Sequence, residues 1–179
     1  MRRAAWLAFA LVCSSGCLVL SLQPAYDDAS ISFNESLLGR WANADDQTQL
    51  AIERGEWRSY KITYTERGAP RVLNGNLTRI GSADFMDVTE MRGADPGPYL
   101  IPVHGVFKIA LEADTLSAAP LDFEWFTRAV AEKRRGLPPL AIDDRRNVIF
   151  ATPSAQLRQW LARAPAAAFG TPMTFARQP

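Results

Sequence analysis

Short runs of alternating apolar and polar residues, cut by turn residues, dominate the chain from Leu37 to Leu121 and restrict that region to antiparallel strands. Leu50 and Ile52 alternate with Gln49, Ala51 and Glu53, and Arg54-Gly55-Glu56 reads as a hairpin turn. In Trp57–Thr65, Tyr60, Ile62 and Tyr64 share one face, while Ser59, Lys61 and Thr63 share the other. Gly68-Ala69-Pro70 breaks the pattern. Val72–Ile80 resumes it, with Asn74-Gly75-Asn76 as a bulge or tight turn. Gly81-Ser82 leads into Ala83–Thr89, and Gly93–Pro98 reads as a loop. Leu100–Glu112 is the longest expected strand. Ile101, Val103, Phe107, Ile109 and Leu111 form its core face, and His104, Val106 and Lys108 point the other way. Ala113-Asp114 turns the chain back into Thr115–Leu121.

Two helices follow. Asp122 can cap one running to Arg135, with Glu124 near its start, Lys133–Arg135 near its end, and Phe123, Phe126 and Val130 as its apolar stripe. Gly136-Leu137-Pro138-Pro139 stops it. After a short strand at Asn147–Ala151, Thr152 caps a second helix with Pro153 at its first position and Leu157, Trp160 and Leu161 buried. Met173–Phe175 adds an edge strand. With Leu37–Asn43 as the first strand, the count is about eight strands and two helices. The expected class is mostly β or α+β: a small antiparallel sheet or barrel with two helices packed on it.

The 179 residues suit one domain behind an N-terminal address. A formal net charge of +1 gives no reason to expect a nucleic-acid partner. The two cysteines, Cys13 and Cys17, exclude a disulfide framework or a cysteine zinc site. Arg2 and Arg3 precede an uncharged stretch from Ala4 to Leu22, the pattern of an export signal. Within it, Ser14-Ser15-Gly16-Cys17 resembles the lipobox of bacterial lipoproteins. The small residues Ser15 and Gly16 match, whereas Ser14 stands where the family favours Leu, and apolar Leu18–Leu22 stands where a polar tether is usual.

That resemblance implies cleavage before Cys17 and acylation of its thiol and new amino group. The expected divisions are a signal peptide over 1–16, a lipidated cysteine and tether over 17–36, and a globular domain over 37–179. Loss of Arg2 and Arg3 leaves 18 basic against 19 acidic side chains, so the mature charge is −1. Leu18 in place of Asp after the cysteine favours the outer membrane, facing the periplasm. The alternative is an uncleaved membrane anchor over 4–22, since about 20 apolar residues span a bilayer.

Leu38-Gly39-Arg40-Trp41 resembles the G-x-W motif of lipocalins, in which the first strand of an eight-stranded barrel carries a Trp that plugs the closed end. The family also brings in an arginine from a late strand, which the sequence alone does not single out. The resemblance implies a calycin-like barrel that binds an apolar small molecule or lipid, with Trp41, Tyr60, Tyr64 and Phe107 lining or plugging it. The alternative is an accessory subunit of an envelope assembly, with a filled core and a docking face. Trp57, Trp125 and Trp160 either line such a cavity or fill the core.

The single histidine, His104, reads as a polar strand-face residue beside Lys108. No G-x-S-x-G elbow accompanies it. The acidic doublets Asp27/Asp28, Asp45/Asp46 and Asp143/Asp144, and the nearby Asp84, Asp87 and Glu90, read as turn or cap residues. Lys133–Arg135 and Arg145-Arg146 read as solvated basic clusters. No catalytic set, metal site or cofactor is expected.

Overall fold

A computed structural model describes residues 18–91, 101–134, 136–138, 140–142 and 147–179. The expected loop over 93–98, Cys17 and the Asp143–Arg146 charges lie outside these residues. Two short strands come first, Val19–Ser21 (β1) and Ile31–Ser32 (β2), followed by a 3₁₀ turn at Glu35–Leu37. Then come Gly39–Ala42 (β3), Gln49–Arg54 (β4), Ser59–Glu66 (β5), Ala69–Ile80 (β6), Ala83–Glu90 (β7), His104–Glu112 (β8) and Thr115–Pro120 (β9). Helix Phe123–Ala131 (α1), strands Leu140–Ile142 (β10) and Val148–Phe150 (β11), helix Ser154–Leu161 (α2) and strand Met173–Gln178 (β12) complete the chain.

Eight of these strands, β3 to β9 and β12, close into an antiparallel barrel. Each of β3 to β9 pairs with the next, as alternation and tight turns dictate. Arg67 and Gly68 both take positive φ (50° and 80°), which lets a two-residue turn follow the twist of β5 and β6. The exception is the pair at the seam, β3 and β9, which meet only through β12. Its Phe175 lies opposite Leu116 of β9, and its Arg177 opposite Trp41 of β3. The expected edge strand at Met173–Phe175 is therefore the closing stave. The expected strand at Asn147–Ala151 instead lies outside the barrel, as β11.

The sheet continues past the barrel. β1 leaves β8 at Ser21–His104 and Leu20–Gly105, runs parallel to β11, and β11 pairs with β10. This extension, with α1 and α2, covers the outer wall of β6–β8. Two cores result. Inside the barrel, Trp41, Tyr60, Ile62, Leu77, Met86, Leu116 and Phe175 pack together. Outside it, Phe85 and Val106 meet Val19, Val148 and Phe150 of the extension and Trp125, Phe126, Leu157 and Leu161 of the helices.

Several expectations are corrected by this arrangement. The described part of the expected tether, residues 18–36, belongs to the fold: Ala25 and Ser21 are fully buried. Asn74-Gly75-Asn76 is neither bulge nor turn but continuous strand. Ile101 and Val103 are exposed ahead of β8 rather than part of its core face. Trp57 lies in the β4–β5 turn at φ 53° and is 66% exposed, so it lines nothing. Asp122 does cap α1, accepting from the Trp125 N–H at 2.6 Å. That helix ends at Ala131. At α2 the N-cap position falls on Pro153, while Thr152 directs its hydroxyl to Gln156.

Arg158 of α2 fastens the outer layer. Its Nη1 donates to the Ala25 carbonyl (2.8 Å) and Thr78 Oγ1 (2.9 Å), and its Nη2 to the Arg79 carbonyl (3.3 Å). Hydrogen bonds from a charged donor contribute about 1.5–3 kcal/mol. Arg158→Ala is expected to lower unfolding free energy by about 2 kcal/mol in urea titration, chiefly because Thr78 and Ala25 are left without their donor. A loss within about 0.5 kcal/mol, the range of ordinary surface substitutions, would show that the layer holds without this clasp.

Candidate functional site

Cross-strand partners share a face, so register identifies the side chains that point into the barrel. One row runs Arg177, Trp41, Leu50, Tyr64 and Arg71 across five strands. Strands in a barrel tilt, so this row climbs from one end of the bore to the other. The four residues expected to line or plug the barrel, Trp41, Tyr60, Tyr64 and Phe107, all face the bore by this alternation. Trp41 and Tyr60 are fully buried at one end; Tyr64 and Phe107 are half-buried toward the other.

The first end is sealed by the chain that precedes β3. Leu37 is buried, and its carbonyl accepts from Trp41 Nε1 at 3.0 Å. Tyr60 accepts from the Asn34 N–H (2.7 Å) and donates to the Asn34 carbonyl (3.2 Å). Phe33 stacks on the Tyr60 ring at 4.7 Å, and the Arg54 guanidinium lies 4.3 Å over Phe33. Arg177 completes the plug from the last strand. Its guanidinium lies 4.1 Å over the Trp41 ring and donates to the carbonyls of Leu38 (2.9 Å) and Ser36 (2.6 Å). Gly39 sits at φ +132°, and a Cβ there would come within 2.9 Å of Arg177 Nη1. Two requirements, an unusual φ and a close approach, thus meet at one glycine.

Among the described residues, the opposite end has no such stopper of fully buried aromatic side chains. Leu50, Tyr64, Leu73, Val88, Phe107 and Met173 point inward by register yet remain half-buried, forming an apolar mouth. Deeper in, Gly75 lets Ile62 Cδ1 and Met86 Sδ approach to 2.7 and 3.0 Å of where a Cβ would stand. Burial pushes the phenols of Tyr60 and Tyr64 above their ordinary value. At Tyr64 the Glu66 carboxylate adds to the effect, while a hydrogen bond with Thr48 opposes it.

A second cluster lies on the outer wall. Asp87 and His104, expected as a turn or cap residue and an exposed strand residue, are instead buried together. His104 Nδ1 lies 2.6 Å from Asp87 Oδ1, and Asp87 Oδ2 accepts from the Ala25 N–H at 2.7 Å. The Tyr26 ring meets His104 edge-on, and burial, then Asp87, raises the Tyr26 phenol. Ser21 pairs with His104 in the β1–β8 ladder but gives its hydroxyl to the Gln23 carbonyl (2.6 Å). The pair is sealed under the N-terminal segment, which suits a structural clamp. Among the described residues, no group of three or more His, Cys, Asp or Glu side chains could hold a metal ion.

Two surface hollows lie outside the bore. One, of about 420 Å³, lies between Leu22-Gln23 and Ala151–Ser154. The other, of about 390 Å³, lies on the β3–β5 wall beside Gln178 and Pro179. The fold and plug define the class: a closed eight-stranded antiparallel barrel stoppered at one end, with an α/β layer on one wall. No family model, curated protein or solved structure matches the chain.

Trp41→Ala is expected to cost about 3–5 kcal/mol through the cavity it leaves. Combined with Arg177→Ala in a double-mutant cycle, it should reveal a coupling of about 1–2 kcal/mol, the range of a partly desolvated cation–π contact. Strictly additive losses would mean that Arg177 acts through Asp114 and its carbonyl partners without the ring contact. The buried phenols provide a second check. Tyr26, Tyr60 and Tyr64 are expected to ionise above 10.0 when phenolate absorbance is followed against pH. Below that value folded and unfolded chains both hold these protons. Above it the unfolded chain releases them first, so stability should fall with rising pH from about 10 upward.

Proposed function

We propose that this chain is a non-catalytic lipoprotein of the bacterial envelope, anchored through Cys17, whose barrel binds an apolar small molecule through its unplugged end. The observation that carries the binding reading is the contrast between the two ends. One is stoppered by Trp41, Tyr60 and Arg177, while the other presents half-buried apolar side chains inside the bore. Arg177, on the last strand, is a candidate for the late-strand arginine of the lipocalin resemblance and supports that reading.

The address has its own support. β1 starts at Val19, and Leu18 is already bonded: its N–H donates to Asn147 Oδ1 (3.1 Å) and its carbonyl accepts from the Val148 N–H (2.9 Å). A cut before Cys17 keeps every described residue. The strand at Val19–Ser21 supports the cleaved reading over an anchor running through 4–22.

The hollow on the β3–β5 wall favours a second reading, an accessory subunit that docks a partner and keeps a filled bore. Native mass spectrometry of the mature protein, followed by organic extraction, separates the two. An apolar adduct of defined mass that disappears in Val88→Trp, which fills the mouth, is the expected result. A clean protein mass, with apolar probes bound equally by the wild type and Val88→Trp, would sink the binding reading in favour of the accessory one. Intact mass also tests the anchor: an acylated N-terminal cysteine is expected, and Cys17→Ala should leave the chain unacylated.

A further inference from the structure

We infer that Trp57, at the tip of the β4–β5 turn, is a contact point between this protein and the lipid–water interface of a bilayer. The contact does not depend on how the N-terminal segment is held. Every residue it uses lies between Ile31 and Tyr60.

Short-range bonds build the turn. The Gly55 N–H donates to the Ser59 carbonyl (2.9 Å), and the Ser59 N–H and hydroxyl both donate to the Glu56 carbonyl (3.0 and 2.7 Å). Within this loop Trp57 takes φ 53°. A residue with a Cβ is disfavoured there, and a bulky one is a clear outlier. The other non-glycine residues at positive φ are Gln47, Arg67, Ala113 and Lys133, none of them aromatic. The Trp57 side chain adds to neither core. It is 66% exposed, and its one ring contact among the described residues is the Arg58 guanidinium at 5.6 Å. A single exposed apolar side chain is ordinary. One that also holds a backbone conformation suited to glycine is doubly unfavourable for the fold, which places its use outside the fold.

The surroundings favour lipid as the occupant. Trp joins an apolar ring to an N–H donor and settles at headgroup level in bilayers. Arg58 beside it is exposed, forms no ion pair among the described residues, and reaches only the Ile31 carbonyl, at 3.5 Å. Its guanidinium is therefore free to meet a lipid phosphate. Glu56 balances that charge within the turn, so the ring rather than net charge carries the contact. A bilayer accepts one protruding ring of about 200 Å² without shape matching. A stable protein–protein interface needs about 800 Å² from each side, more than the tip Gly55–Ser59 offers. The mounting is also firm. Arg54, at the foot of the turn, lies 4.3 Å over Phe33 and pairs with Glu35, and Phe33 stacks on the buried Tyr60. Little freedom is lost when such a preorganised tip makes contact.

Tryptophan fluorescence tests this, because Trp41 and Trp125 are buried and Trp160 is half-buried, which leaves Trp57 as the exposed indole of the described residues. The purified protein is mixed with phosphatidylethanolamine–phosphatidylglycerol vesicles, plain or with acyl chains brominated near the headgroup, and its emission is compared with that of Trp57→Gly. In buffer, iodide should quench a component that Trp57→Gly lacks. With vesicles, that component is expected to shift to the blue, escape iodide and be quenched by brominated lipid. Trp57→Gly should unfold at a urea midpoint equal to or above that of the wild type, since glycine accepts the positive φ. A component that stays open to iodide and unquenched by brominated lipid would overturn the inference. So would a lower urea midpoint in Trp57→Gly, which would give the ring a structural role. Iodide shielding that develops without vesicles as protein concentration rises would overturn it in favour of contact between two copies of the chain.

Discussion

The guanidinium of Arg177 joins the first and last strands of the barrel. β12 closes the ring only if the last strand finds the first, across a separation of 139 residues between Arg177 and Leu38. Arginine suits the task because its planar fork can present a face to an aromatic ring while its edges donate to carbonyls. Here the face lies over Trp41 and the edges reach Ser36 and Leu38. Those carbonyls belong to the 3₁₀ turn and its exit, where the backbone runs out of internal partners. One side chain therefore caps a turn, covers the Trp and locks the seam. Lysine, with a single point charge, could not do all three.

The wall shared by the two cores explains most of the remaining polar chemistry. β7 and β8 bury both faces: Met86 faces the bore and Phe85 and Val106 face the helices. Asp87 falls on the outer side, where an uncompensated carboxylate would be costly. It is compensated by His104 and the Ala25 N–H. Removing one partner would leave a buried polar group unsatisfied, at a cost of about 1–3 kcal/mol. The N-terminal segment is thereby held by polar contacts at Ala25 and Ser30 as well as by apolar ones at Val19.

Much of the barrel was legible as alternation. Strands β4, β5, β7 and β9 follow their patterns, and Asp122 announces α1. Legibility ends where both faces are buried or where a strand is very short. In β8 the outward face carries His104 and Val106, which read as solvent-side residues until α1, α2 and β1 are placed over them. β1 lies inside the apolar stretch 4–22, whose pattern reads as an export signal, and that reading masks the strand. β12 reads as a short edge because Ala176, Arg177 and Gln178 break its apolar pattern. The arginine that breaks it is the residue that makes the seam. Glycine at 39 was readable from its motif, whereas Asp87 carried no local signal, since its partners lie 17 and 62 residues away.

Packing along the bore limits what the barrel can hold. Tyr60, Ile62, Leu77, Met86, Leu116 and Phe175 fill the plugged half, and the close approach of Ile62 and Met86 over Gly75 marks the floor. A ligand entering from the mouth stops there unless these side chains move, and dense interiors resist such movement. The half-buried part of the bore is lined by Leu50, Tyr64, Leu73, Val88, Phe107 and Met173, all apolar apart from the Tyr64 hydroxyl. That hydroxyl already has Thr48 as a partner. A guest with a buried polar group would leave it unpaired, at a cost of roughly 1–3 kcal/mol. On the proposed binding reading, the bore would favour short, fully apolar guests, or longer ones whose polar end remains outside at the rim beside Arg71 and Glu66.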